Sequence, residues 1–407
     1  MKYVIVGASA AGLNAAKTLR QLDPGANITV VAKDEKIYSR CIMHHYLKGE
    51  RDLEQLSFVG QDFMAENNIE WLKGAAVTKI NTGSNELSLS DGSSVSYDKL
   101  LLAAGSSTIF PRGIKNLESA QSGVIGFRNI EDAVAIKELA ASPAVKNIVV
   151  LGAGLVGIDV AEGLLGFGKN ISLVESYSHM LNKQLDMHAA KAYEQAFAVA
   201  GVKQYYGTNV TALELDSGNA VRQVELSSGV RIPCDLFVVT SGVRPNVALL
   251  EGSGIASDDY GLVFDKFGKT NIDNVYGAGD ISGRSPIWPA AVKEGIIAAY
   301  NMVGKPLEQT DFFASKATMN FLGVATMSLG SPEPPDSSYN VVTDIDDSGN
   351  YKKVIHKDGV ITGAIIQGDL SYTGVLTQLI KEKIDVAKVK KPLFKVDYSD
   401  FFGEFNF

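Results

Sequence analysis

Gly7-Ala8-Ser9-Ala10-Ala11-Gly12 and Gly152-Ala153-Gly154-Leu155-Val156-Gly157 decide the reading of this chain. The first follows the apolar run Tyr3-Val4-Ile5-Val6 and the second follows Ile148-Val149-Val150-Leu151. Each leads into a helical pattern. A glycine-rich turn between strand and helix brings backbone N–H groups and a helix N-terminus close to a pyrophosphate. A single match is a weak signal; a strand before, a helix after and an acid downstream strengthen it. One such turn implies one bound dinucleotide. Two imply two, and so an enzyme that passes electrons between two nucleotide cofactors.

The first turn carries Ser9 where the middle glycine belongs, a residue small enough for close approach. Its candidate contacts are Gly7, Ala10, Ala11 and Gly12. An acid at the end of the next strand, residues 28–32, is needed for the ribose hydroxyls. Asp34 and Glu35 are the candidates, with Lys33 intruding, and Asp34 is the choice. The second turn is complete, with Gly152, Gly154, Leu155, Val156 and Gly157 as contacts. Its acid is Glu175, directly after the strand at 171–174. A carboxylate there accepts from a free 2′-OH and repels a 2′-phosphate, which favours NADH over NADPH.

The 407 residues suffice for two or three domains. A net charge of −8 argues against a nucleic-acid partner. The two cysteines, Cys41 and Cys234, form no C-x-x-C pair, which excludes an in-chain iron–sulfur cluster, a four-cysteine zinc site and a thioredoxin-like dithiol. His44 and His45 are adjacent and point apart on a helix, so they cannot chelate one metal together. No metal site is expected. Met1 runs straight into the first strand, leaving no room for a signal peptide, and sparse cysteine fits a reducing cytoplasm. No apolar run reaches the roughly 18 residues a membrane span needs.

Strand, turn, helix over 12–22 and strand form a βαβ unit, repeated from 148 to 174 with its helix over 155–167. This alternation predicts parallel sheets. Residues 86–97 and 210–226 read as hairpins around Asp91-Gly92 and Asp216-Ser217-Gly218-Asn219. A helix with proline in its first turn is predicted over 289–303. Beyond Pro306, strands at 340–343, 352–356 and 360–367 and a helix at 373–383 predict a small α+β domain, with Asp358-Gly359 as a hairpin turn. The aromatic, acidic tail at 394–407 reads as a segment that docks on its own protein or a twin subunit, with a partner-binding role as the alternative.

Taken together, the first turn, residues 100–106, the second turn running into Ala161-Glu162, Gly242-Val243-Arg244-Pro245-Asn246, and Thr270 with residues 275–280 resemble the FAD-dependent pyridine nucleotide–disulfide oxidoreductases. The resemblance covers the chain to about residue 305. It implies an α/β fold with two Rossmann-like dinucleotide-binding domains, FAD on the first turn and NAD(P)H on the second. The NAD domain, 113–244, is inserted in an FAD domain of 1–112 and 245–308, and 309–407 is the C-terminal α+β domain. By the same resemblance, Val77 contacts adenine through its backbone, Ala104 and Gly105 lie at the FAD, Asp280 binds the ribityl chain, and Gly242 lies at the NAD. Asp159 takes the place of a glutamate common in the family and is one methylene shorter.

Within the family, Ile37-Tyr38-Ser39-Arg40, Tyr46-Leu47-Lys48-Gly49-Glu50, Trp288-Pro289 and the C-terminal pattern look like rubredoxin reductases and the flavin module of NAD(P)H–nitrite reductases. Arg40 is then expected near FAD. Cys41 stands where that branch often has proline. NADH oxidases, NADH peroxidases and coenzyme A disulfide reductases carry a redox cysteine at the equivalent place. Against that, Ile42 replaces the glycine that usually follows, and Ala10 replaces the histidine of the oxidases and peroxidases. The resemblance therefore implies an FAD-dependent NADH oxidoreductase that reduces a small redox protein, rubredoxin or another iron–sulfur partner. The alternative is a Cys41-dependent NADH oxidase or coenzyme A disulfide reductase, with a flavin-binding scaffold as a third reading. A homodimer and a hetero-complex both stay open.

Overall fold

A computed structural model describes residues 1–310 and 316–401. Residues 402–407 of the aromatic tail lie outside the described residues. The chain divides into two compact units. The first comprises Met1–Ile109, Arg128–Val134 and Gly242–Ala314, and the second comprises Phe110–Phe127, Ala135–Ser241 and Ser315–Phe407.

The first unit is built on a parallel sheet in the order Val275–Gly277, Lys99–Leu102, Lys2–Val6, Asn27–Ala32, Ile69–Lys73. Its middle strands are apolar on both faces: the helices Ala10–Leu22 and Trp288–Met302 cover one face, and Ile80, Leu87 and Leu89 of an antiparallel sheet cover the other. The helix predicted from residue 12 begins two residues earlier and runs Ala10–Leu22. It packs on Trp288–Met302, with Pro289 in the first turn as expected. The two helices come so close that a Cβ on Gly295 would lie 2.2 Å from the Ala11 carbonyl oxygen. Both predicted hairpins are present; in this unit Glu86–Leu89 pairs with Ser94–Ser96.

The second unit repeats the design. Its parallel sheet runs Lys203–Tyr205, Asn170–Val174, Asn147–Leu151, Leu236–Val239, Val124–Gly126. In both sheets the strand that feeds the glycine turn is the middle one. Its neighbours lead away on opposite sides, which opens a crevice at the carboxyl ends of the strands. Cys234 is buried in this core, and burial pushes its thiol up to about 12.

The C-terminal part of the second unit is an antiparallel sheet ordered Lys316–Phe321, Val324–Gly330, Val360–Gln367, Tyr351–Lys357, Asn340–Ile345. The helix Thr373–Lys381 lies on it through Leu376, Leu379 and Ile380. Three of these strands and the helix are predicted by the sequence pattern; the hairpin 316–330 is not. Its turn is Leu322-Gly323, and Leu322 holds a left-handed φ of 50°. Leucine does not advertise that conformation, whereas Asp358-Gly359 does. No helix among the described residues is long and apolar enough to cross a membrane.

Candidate functional site

The outer glycines of both turns are demanded by packing. Gly7 sits at φ +113°, and a Cβ there would lie 2.2 Å from the Ala103 carbonyl oxygen. A Cβ on Gly12 would lie 1.9 Å from the Gly7 oxygen. In the second turn, Gly152 at φ +106° and Gly157 repeat this, with Gly157 1.9 Å from the Gly152 oxygen. Gly154 differs. Its φ of −79° and ψ of −175° suit any residue, and a Cβ there would meet no protein atom within 4 Å. The fold does not need glycine at 154. An anion approaching the N-terminus of helix Leu155–Leu164 does. The residues present therefore fit a dinucleotide pyrophosphate.

Beside this turn, Glu175 is buried and both its carboxylate oxygens accept hydrogen bonds. Its Oε2 accepts from the Ala153 N–H at 2.7 Å, and its Oε1 accepts from Ser176 Oγ at 3.0 Å and Tyr177 N–H at 3.1 Å. Leu155 is half-buried, while Val156 is exposed at the helix start.

The first turn lacks this arrangement. Gly152 N–H donates to the Val174 oxygen and Gly7 N–H donates to the Val31 oxygen. Ala32, not Asp34, therefore stands where Glu175 stands. Asp34 lies two residues further and accepts from Arg40 Nη2 at 2.8 Å, both side chains being under one-fifth exposed. Arg40 also donates to Asn129 Oδ1 at 3.3 Å and stacks its guanidinium 4.7 Å from the Tyr38 ring centroid. The structure thus joins two of the expected flavin residues to each other. Ala10 and Ala11 are buried in the turn helix. Val77 opens the strand Val77–Asn81 at a register shift against Leu89. The Ala104 and Gly105 carbonyls accept from Asn246 at 2.8 and 3.0 Å, and Gly105 faces open space at φ +69°. Gly242, at φ +126°, falls in the first unit and accepts from Ile109 N–H at 3.0 Å.

Asp280 lies in the short turn Gly279–Ser282. Its Oδ2 accepts from Arg128 Nη2 at 2.5 Å and from Ser106 Oγ at 3.2 Å. Arg128 escapes sequence reasoning because it belongs to no motif. The one local clue is Asp132, whose carboxylate accepts from the N–H groups of Arg128 and Asn129 and so starts the helix Ile130–Ala141. Glu294 is a second omission. It is buried on helix Trp288–Met302 and accepts from the Gly279 N–H at 2.7 Å. Burial pushes its carboxyl up to about 7, and the neighbouring Asp280 charge adds to this.

Cys41 is exposed. It lies in the single 3-10 turn Arg40–Ile42, its N–H donating to Ser39 Oγ at 3.3 Å, and the α-helix starts only at Met43. The thiol therefore stands two residues ahead of the α-helix.

The profile described as pyridine nucleotide-disulphide oxidoreductase matches residues 1–295. The chain belongs to this family. FAD and NAD(P)H are the dinucleotides the family implies for the two turns. In this pyridine nucleotide-disulphide oxidoreductase, residues 316–384 match the rubredoxin NAD+ reductase C-terminal domain. The chain is 33% identical over 402 residues to the NADH-dependent phenylglyoxylate dehydrogenase subunit epsilon of Aromatoleum evansii, covering 96% of this chain and 93% of that one. It is 25% identical over 405 residues to the assimilatory nitrate reductase electron transfer subunit of Bacillus subtilis, covering 98% of this chain but 51% of that protein. The covalent putidaredoxin reductase–putidaredoxin complex contains a chain of like fold, with a TM-score of 0.82, 23% identity and 94% of each chain covered.

Proposed function

We propose that this protein oxidises NADH and passes the electrons through bound FAD to a small iron–sulfur protein such as rubredoxin. The observation that carries the reading is the open space at Gly154 beside the buried, immobilised Glu175. Backbone N–H groups and the helix N-terminus at Gly152, Gly154, Leu155, Val156 and Gly157 would hold the NADH pyrophosphate, and Gly242 stays a candidate contact by the family resemblance alone. Glu175 would accept from the ribose hydroxyls and exclude a 2′-phosphate, which supports NADH over NADPH.

Gly7, Ala10, Ala11 and Gly12 would surround the FAD pyrophosphate, Val77, Ala104 and Gly105 its outer contacts, and the Asp34–Arg40 and Arg128–Asp280 pairs would orient it. Bound FAD supplies the exchange between a hydride and single electrons. The chain has only two cysteines, so a cluster of iron and sulfur must come from the partner. The C-terminal domain type and the likeness to a nitrate reductase electron transfer subunit support such a partner. We retain 1–112 with 245–308 as the FAD domain, 113–244 as the NAD domain and 309–407 as the C-terminal domain, working in the cytoplasm.

The exposed Cys41 supports a second reading, a thiol-dependent oxidase or coenzyme A disulfide reductase. The main reading is tested by anaerobic titration. NADH is expected to bleach the flavin at lower concentration than NADPH. Hydrogen bonds to a charged group are worth about 1.5–3 kcal/mol, so Glu175→Ala weakens NADH binding by roughly ten- to a hundred-fold. Protein that stays colourless after incubation with FAD overturns the reading.

A further inference from the structure

The segment from Glu175 to Asp186 links the second glycine turn to the C-terminal sheet, all within one unit. At the turn, it grips Ala153 from both sides. Glu175 Oε2 accepts from the Ala153 N–H at 2.7 Å, and Leu181 N–H donates to the Ala153 oxygen at 2.9 Å. Leu181 does so from a left-handed φ of 55°, with its side chain fully buried. A bulky residue in that region is strained and persists only where its surroundings hold it.

The surroundings that hold it come from two places. Gln184 and Leu185 N–H groups both donate to the Leu181 oxygen at 2.8 Å. Those residues are in turn fixed by the C-terminal sheet. Ser328 Oγ donates to the Gln184 oxygen. Tyr351 OH and Lys353 Nζ donate to Asp186 Oδ2 at 2.7 and 2.9 Å. Asp186 also caps helix Met187–Val199 by accepting from the Ala189 N–H at 2.9 Å, and Gln367 Nε2 donates to the Ala189 oxygen at 3.0 Å. Lys353 is 5% exposed, so this charge is withdrawn from water and committed to Asp186, with Glu333 at 3.0 Å as its other partner.

We propose that the C-terminal sheet is a positioning element of the pyridine-nucleotide site: through Ser328, Tyr351 and Lys353 it holds residues 181–186 in the strained form that fixes Ala153 for the nucleotide pyrophosphate. The proposal rests on the reading of the second turn as the NADH site. Lys353 and Ser328 touch no nucleotide; they act through Asp186, Gln184 and Leu181. The antiparallel domain thus contributes to affinity for the electron donor, in addition to any role toward an acceptor.

The test uses the full-length, flavin-loaded protein with Lys353→Met, which keeps the buried stem and removes the charge, and Ser328→Ala, which removes one hydroxyl. Both are expected to raise the Kd for NADH and for ADP-ribose, by about ten-fold for Lys353→Met and about three-fold for Ser328→Ala. With ferricyanide as acceptor, KM for NADH rises while kcat at saturation changes by less than about two-fold. FAD retention stays at the wild-type level. Should Lys353→Met fail to fold, Ser328→Ala still decides. The brace is overturned if the variants bind NADH as the wild type does while their Tm falls, or if FAD and NADH affinity fall together. Wild-type protein that binds no NADH removes the reading beneath the proposal instead.

Discussion

Arg128 and Asp280, 152 residues apart in the chain, meet through a 2.5 Å hydrogen bond that Ser106 completes on both sides. Arg128 donates to the Ser106 carbonyl at 3.2 Å and to its hydroxyl at 2.9 Å, so the guanidinium fork is used on two groups at once. The side chains are 20% and 15% exposed. Asp280 is the residue we assign to the flavin's ribityl chain, and Arg128 sets where its carboxylate points.

Replacing Arg128 by Met leaves that carboxylate without its cation. Breaking a fully buried pair costs about 3–5 kcal/mol, and partial exposure reduces this to about half. We expect FAD to dissociate at least ten-fold more readily, read as the rise of free-flavin fluorescence on dilution. Arg128→Lys should not rescue, because an ammonium cannot span both Ser106 and Asp280 with the same fork. Retention equal to wild type would remove Arg128 from the site.

Two glycines three residues apart, Gly154 and Gly157, should behave oppositely. Gly157→Ala drives a methyl into the Gly152 carbonyl, 1.9 Å away, and is expected to cost about 3 kcal/mol or more in stability, with Tm falling accordingly. Gly154→Ala meets no protein atom. It loses only the modest N-cap preference of glycine over alanine, about 0.5 kcal/mol. NADH affinity should nonetheless drop at least ten-fold for Gly154→Ala, since the methyl occupies the approach of the pyrophosphate. Unchanged affinity with unchanged Tm would mean that no ligand comes close there.

Glu294 predicts a pH dependence of folding. Its carboxyl titrates near 7 in the folded protein, against an ordinary 4.5. Between those values the folded state binds more protons than the unfolded state. Stability therefore falls as pH rises from about 4.5 to about 7, by roughly 3 kcal/mol at most, and changes no further above that window. Glu294→Gln keeps the acceptor for the Gly279 N–H without a charge, so its urea midpoint should be flatter from pH 5 to 7.5. Parallel wild-type and variant profiles would sink this assignment.

Cys41→Ser separates the two functional readings. Electron flow from NADH to an iron–sulfur acceptor through FAD needs no thiol, so turnover should stay within about two-fold of wild type. A thiol relay instead predicts loss of disulfide or oxygen turnover by several orders of magnitude, because the bond-forming nucleophile is gone. Steady-state assays with rubredoxin, coenzyme A disulfide and oxygen decide between them.

Where local chemistry carries the information, the sequence was legible. Asp358 and Gly359 adopt φ of 49° and 80° in a two-residue turn, as the Asp-Gly signal implies, and Lys357 pairs with Val360 across it. Leu322-Gly323 makes the same kind of turn with the same handedness, yet leucine gives no such signal, so the first hairpin of the C-terminal sheet goes unread. Counting acids after the second strand selects Asp34. Backbone register selects Ala32 as the counterpart of Glu175 and gives Asp34 to Arg40. A count of residues cannot see that difference, because it is set by which carbonyl each turn glycine bonds.

The amino-acid order alone determined that two strand–turn–helix units each present a glycine turn, that Glu175 follows the second, and that a smaller α+β domain closes the chain. These are encoded between near neighbours, in strand apolarity, glycine's tolerance of positive φ and the capping of helices. The tertiary structure decided the partners that come from far away: Arg128 on Asp280, Glu294 on Gly279, and Lys353 on Asp186. Each depends on the closing of sheets and helices over long loops, which brings charged groups out of water and obliges them to find one another.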